Sequence, residues 1–141
     1  MKTYFLDTSI FVAAFWKAHP NFESSFGLLS KSKNIHFISS HHSLVEYYSV
    51  MSRLPVSVRV EPSLIYNIIQ ENILPHVKIF SLSSKEYIQF LKQASLLQIQ
   101  GGNIHDFYHY RVAQKMKVNA LFTWNTKDFI QFGTELSIQT P

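Results

Sequence analysis

The chain has 141 residues, 46% apolar and 15% aromatic, with four Gly and no Cys; 13 Lys and Arg stand against 9 Asp and Glu, a formal charge of +4. That length suits one domain with a full core. The composition excludes a disordered or collagen-like chain, and the lack of Cys excludes disulfides, thiolate metal sites and cysteine nucleophiles. No basic leader with an apolar stretch of about 7–15 residues opens the sequence, and no apolar run reaches about 18 residues. The expectation is a single cytoplasmic domain over residues 1–141 with no membrane segment.

The apolar run Thr3 to Leu6 reads as a buried strand that passes at Asp7, Thr8 and Ser9 into a helix start, with a helix over Ile10 to Trp16. A helix over Asn21 to Leu29 and a strand over Ile35 to Ile38 follow. The next helix, Ser43 to Arg53, carries Glu46, and Ser63 to Asn72 gives another before a strand at Val77 to Phe80. In the helix Ser84 to Leu97, Tyr87, Phe90, Leu91, Ala94 and Leu97 form one apolar stripe, and Ser83 with Glu86 supplies a capping box. Gly101 and Gly102 are read as ending it. A helix over Asn103 to Met116 holds Asp106 in its first turn. A strand over Ala120 to Thr123 and a weaker one over Leu136 to Gln139 complete the chain. Strands alternating with helices require crossover connections, so the predicted fold is α/β: a three-layer α/β/α sandwich around a mainly parallel sheet.

Open α/β sheets bind ligands outside the carboxyl ends of their strands. Asp7, Glu46, Asp106 and Asp128 each lie just past a predicted strand or at a helix start, which places them at that edge. Carboxylates brought within about 4–6 Å raise one another's pKa unless a cation offsets them. Oxygen donors without Cys select Mg²⁺ or Mn²⁺, an ion that activates water and polarises phosphoryl oxygens. Phosphodiester hydrolysis is the chemistry such a cluster suits.

Taken in order, LDTS, SLVEYYSVMSRLP, GGNIHDFYHYRVA and LFTWNTKDF, from Asp7 to Phe129, resemble the PIN-domain family and within it the VapC-like toxins of bacterial and archaeal toxin–antitoxin pairs. The resemblance implies an Mg²⁺- or Mn²⁺-dependent endoribonuclease acting on RNA, a homodimer and an inhibitory antitoxin protein. Carried over residue by residue, it implies metal ligation by Asp7, Glu46 and Asp106, supported by Thr8, Ser9 and Thr123. At the fourth catalytic position, where many members have an acid, this sequence has Asn125, with Asp128 one helical turn beyond. That departure motivates an alternative, a non-catalytic RNA- or protein-binding module on the same scaffold. A phosphohydrolase using Asp7 as nucleophile wants an acid two residues later, where Ser9 stands.

Each residue also has a plainer reading. Asp7 is a helix N-cap, Glu46 a solvated helix acid, and Asp106 a first-turn acid favoured by the helix dipole. His105 and His109 flank Asp106 four residues apart; without an HExxH pattern they read as surface residues or substrate contacts rather than zinc ligands. His41 and His42 read as polar loop residues or phosphate contacts. Arg111, Lys115, Lys117 and Lys127 are candidate phosphate contacts or cations that suit helix ends. Phe11 to Trp16 and Ile65 to Ile73 are candidate dimer surfaces, with core packing the default.

Overall fold

The computed structural model describes every residue except Ser32 and Val58. Five strands, β1 (Lys2–Leu6), β2 (Ile35–Ser40), β3 (Val77–Phe80), β4 (Ala120–Phe122) and β5 (Ile138–Gln139), form one sheet in the order β3-β2-β1-β4-β5, parallel throughout. Parallel neighbours cannot be joined by tight turns, so helices fill the crossovers. These are α1 (Thr8–Ala14), α2 (Phe22–Ser30), α3 (His41–Ser52), α4 (Pro62–Ile68), α5 (Ser84–Leu96), α6 (Asn103–Lys115) and α7 (Thr126–Ile130).

Successive strand side chains point to opposite faces, which sorts the core into two clusters. Leu6, Phe37, Ala120 and Phe122 pack with Ile10, Phe11, Tyr47, Met51 and Ile65 beneath α1 to α4. Phe5, Ile38 and Leu121 pack with Phe90, Phe107, Tyr110, Val112 and Phe129 beneath α5 to α7. Burying each such side chain contributes about 1.5–3 kcal/mol before entropy is charged. The result is the three-layer α/β/α architecture expected from the sequence.

From β1 the chain builds outward through β2 and β3, then returns through α5 and α6 to β4 on the far side of β1. The crossovers leaving β1 and β4 therefore run in opposite directions, and a crevice opens between their carboxyl ends. The Asp7 N–H extends this ladder by one residue, donating to the Phe122 carbonyl at 3.0 Å. Asp7 and Thr123 are thereby fixed at the mouth of the crevice.

Several elements differ from their predicted bounds. Helix α1 begins at Thr8 and ends at Ala14, before Trp16, and α4 continues into a wide π turn over Ile69–Ile73. The short α7 was not among the predicted helices. Helix α5 keeps its capping box, yet its end is set by Gln98, whose φ of 55° is left-handed. Gly101, with φ 59°, instead makes the turn that opens α6. The apolar stripe of α5 is only partly buried: Phe90 and Ala94 are in the core, while Tyr87 (45% exposed), Leu91 (42%) and Leu97 (58%) are not. Conversely Phe11, Ile65 and Ile73 are fully buried and lie in the core, not on a dimer face. Lys115 is tied to Glu86 at 2.8 Å and to the Ser81 carbonyl at 3.1 Å, a clamp between α6 and the start of α5. No helix among the described residues is long and apolar enough to cross a membrane.

Tyr47 on α3 is fully buried, and its hydroxyl finds no hydrogen-bond partner among the described residues. Burial pushes the phenol up to about 12. An unsatisfied buried hydroxyl costs about 1–3 kcal/mol, so removing it is close to free. In urea melts Tyr47→Phe is expected to be neutral or stabilising by about 1 kcal/mol. A clear loss of stability would show that the hydroxyl is bonded.

Candidate active site

Asp7 occupies the N-cap position of α1 but makes no side-chain cap bond. Its carboxylate is held instead by side-chain hydroxyls. Oδ2 accepts from Thr123 Oγ1 at 2.8 Å and from Ser9 Oγ at 2.9 Å. Both hydroxyls are held in turn: Thr123 Oγ1 accepts from the Asn125 N–H at 2.9 Å, and Ser9 Oγ from the Trp124 N–H at 3.0 Å. Asp7 is 2% exposed, so these bonds stand where water cannot replace them. The second oxygen, Oδ1, receives no such donor among the described residues.

Glu46 arrives from the second turn of α3. Ser39 and Ser40, at the end of β2, fix where that helix starts. Ser40 Oγ caps it by accepting from the Ser43 N–H at 3.1 Å, and Ser39 Oγ donates to the Leu6 carbonyl at 2.6 Å, joining β2 to β1. Glu46 Oε1 accepts from Thr8 Oγ1 at 3.3 Å and is bound by His109 Nε2. His109 lies on α6, is fully buried, and has its other nitrogen on Ser40 Oγ at 2.9 Å and near Ser43 Oγ at 3.3 Å. Burial alone would lower the His109 pKa, but the Glu46 hydrogen bond and the charges of Asp7, Glu46 and Asp106 outweigh it, so the imidazole titrates above its ordinary range. Burial likewise would raise Glu46; its bond to His109 and the nearby imidazoles hold it below. The imidazole of this pair is sealed in the core, and the carboxylate favours its protonated form.

Asp106 enters from the first turn of α6, about half-buried. Burial, then the charges of Asp7, Asp128 and Glu46, push its carboxyl up to about 7, against a smaller opposing pull from His109. Asp7, Glu46 and Asp106 line one cavity of about 400 Å³ with Thr8, Ser9, Trp124 and Asn125. Three elements from distant parts of the chain thus deliver carboxylates to a single wall. Asn125 caps α7 by position and brings a neutral amide to the rim. Asp128 does not line the cavity; it sits exposed in the first turn of α7 and acts on Asp106 through charge alone.

The structure corrects the reading of His109, which is a buried brace for Glu46 and not a surface or substrate contact. The sequence held a signal for it. Spacing of three from Asp106 puts both on one face of α6, and that face meets α3. His19 and Asn21, also on the cavity wall, lie in the α1–α2 connection and carry no comparable pattern. Trp124 neither sits in the core nor reaches out to solvent. Its indole N–H donates to the buried Ser25 hydroxyl at 2.9 Å while the ring lines the cavity.

The PIN domain family model matches residues 4–134, nearly the whole chain. The chain belongs to the PIN domain family. No curated protein sequence matches it. Among solved structures this PIN domain is similar to the sarcin–ricin loop cleaving toxin VapC20 of Mycobacterium tuberculosis, with TM-score 0.73 and 13% identity over 95% of this chain and 98% of that one. It is also similar to a chain of VapBC-1 from nontypeable Haemophilus influenzae (TM-score 0.69, 19% identity, 98% and 97% covered). A chain of VapBC2 from Rickettsia felis, solved with a DNA fragment from the promoter, gives TM-score 0.67 and 21% identity, with 98% of each chain covered. At these identities the likeness is one of fold.

The carboxylate wall of this PIN domain is electrostatically costly without a counter-ion. An acid whose folded pKa is raised from 3.8 to about 7 binds its proton more tightly folded than unfolded. The stability tied to Asp106 is therefore present at low pH and lost as pH rises through that window. With EDTA present, Asp106→Asn protein is expected to melt close to wild type at pH 4 and above it at pH 8. An equal effect at both pH values would contradict the proposed electrostatics.

Proposed function

We propose that this chain is a divalent-metal-dependent endoribonuclease, the toxin of a toxin–antitoxin pair. The observation that supports it best is the convergence of Asp7, Glu46 and Asp106 on one cavity at the switch point of the sheet. Family membership and the likeness in fold to VapC and VapBC structures, one of them a toxin that cleaves the sarcin–ricin loop, point the same way.

The donor set fits a hard ion, Mg²⁺ or Mn²⁺: carboxylate oxygens, an amide and hydroxyls, with no thiolate in the sequence. Asp7, Glu46 and Asp106 would hold it, and when bound it supplies Lewis-acid stabilisation of a phosphoryl oxygen and a more acidic water. This chain's own residues prepare that site. Thr123 and Ser9 lock Asp7 through Oδ2, leaving Oδ1 for the cavity. His109 and Thr8 lock Glu46 through Oε1. Asn125 offers an oxygen donor without charge, so the site carries three carboxylates rather than four. Asp128 adds negative potential from outside the wall. The formal charge of +4 favours approach of a polyanion such as RNA.

As the toxin of such a pair, the protein would act in the cytoplasm as one PIN-like domain over residues 1–141. It would assemble with a second copy of itself and with an antitoxin that places a cation near the carboxylate wall. The exposed Tyr87, Ile88 and Leu91 on α5, beside Val45 on α3, give an apolar surface suited to one of these contacts.

The neutral Asn125 favours one other reading, a binding module that has lost cleavage. Cleavage assays on structured RNA separate the two. Activity is expected with Mg²⁺ or Mn²⁺, to vanish with EDTA, and to fall by more than about 100-fold in folded Asp7→Asn and Asp106→Asn proteins. Activity that survives chelation or both substitutions would overturn the nuclease reading.

A further inference from the structure

Beside Glu46 stand two imidazoles, those of His42 and His105, that the nuclease reading does not use. His42 stands one turn before Glu46 on the same face of α3, and His105 lies in the first turn of α6, facing it. His42 Nε2 and His105 Nδ1 are 2.7 Å apart, with ring planes only 12° from parallel. Glu46 Oε1 is 4.0 Å from His42 Nε2, and one ligand atom from each of the three residues falls within 4.8 Å of the others. His42 and His105 open onto their own depression of about 310 Å³, walled by Tyr87 and Tyr108.

We propose that His42, His105 and Glu46 form a site for a borderline transition-metal ion of the Zn²⁺ class, distinct from the hard-ion site at Asp7 and Asp106. Two imidazole nitrogens this close need a proton or a metal between them, because their lone pairs otherwise repel. Ligands about 2.0–2.1 Å from a tetrahedral Zn²⁺ stand about 3.3 Å apart, a value between the His42–His105 and His42–Glu46 separations. Two imidazoles and a carboxylate are a donor set that Zn²⁺, Co²⁺ and Ni²⁺ accept and that Mg²⁺ does not favour. The carboxylate is already oriented: His109 holds the same Oε1 from the core, the supporting bond that ligating carboxylates require. His105 is exposed and His42 partly so, which leaves room for water as the remaining ligand and an open path for the ion. Glu46 is shared between the two donor sets, so an ion bound by the imidazoles draws on a carboxylate that the cavity also needs.

Titrating untagged full-length protein with Co²⁺, followed by its visible d–d absorption and repeated as competition with Zn²⁺, tests this. One saturable, intense band of low-coordinate Co²⁺ is expected, weakened by about 100-fold in His105→Gln and in His42→Gln, and retained in Asp7→Asn and Asp106→Asn, whose oxygen-donor site would hold Co²⁺ six-coordinate and faintly coloured. Both histidines lie at the surface, and thermal melts verify that the variants fold. The proposal is overturned if Co²⁺ binding is not saturable, if both histidine variants bind as wild type does, or if binding is lost only in the aspartate variants. The titration uses no RNA, so it stands or falls separately from the nuclease reading.

Discussion

The constraint from which the rest of the structure follows is the repulsion among carboxylates that the parallel sheet forces together. The strand order leaves one crevice, between the carboxyl ends of β1 and β4, and the chain passes it with Asp7, with Glu46 on the helix after β2 and with Asp106 on the helix before β4. Each acid is placed by an element whose core face is fixed by buried apolar side chains. The backbone of each is therefore held at the crevice. The electrostatic cost is thus built in, and Asp106, held as a carboxyl up to about 7, is where it shows.

Around that cost the polar groups of the site form a connected frame. Thr123 and Ser9 grip Asp7, and main-chain N–H groups of Trp124 and Asn125 grip those hydroxyls. Ser39, Ser40 and Ser43 tie the end of β2 to β1 and to His109, which grips Glu46. With Glu46 removed, burial would push the His109 pKa down; with His109 removed, Glu46 would lose the donor that holds its carboxylate low. His109 therefore acts on the site through Glu46, without facing the cavity.

Much of this was legible in the sequence because two patterns coincide. Continuous apolar runs such as Tyr4 to Leu6 and Ala120 to Phe122 mark strands buried on both faces, and an acid or hydroxyl follows each at the edge where ligands bind. What stayed hidden depends on tertiary packing. The apolar stripe on α5 has helical period whether it meets a core or a partner, so periodicity could not reveal that Tyr87, Leu91 and Leu97 are left exposed. The burial of His109 likewise follows from α6 docking against α3 and the sheet. His42 and His105 lie 63 residues apart, and only the docking of α3 against α6 brings them together. His19 and Asn21 reach the cavity through a loop whose path local sequence does not determine.

The central claim is that Asp7, Glu46 and Asp106 make one divalent-ion site. A crystal of the full chain grown with Mn²⁺, with data collected at the manganese absorption edge, tests it most directly. The account predicts an anomalous peak between the three carboxylates, within ligand distance of Asp7 and Asp106. A wall of three carboxylates with no peak at saturating Mn²⁺, or the side chains turned apart onto separate faces, would contradict it.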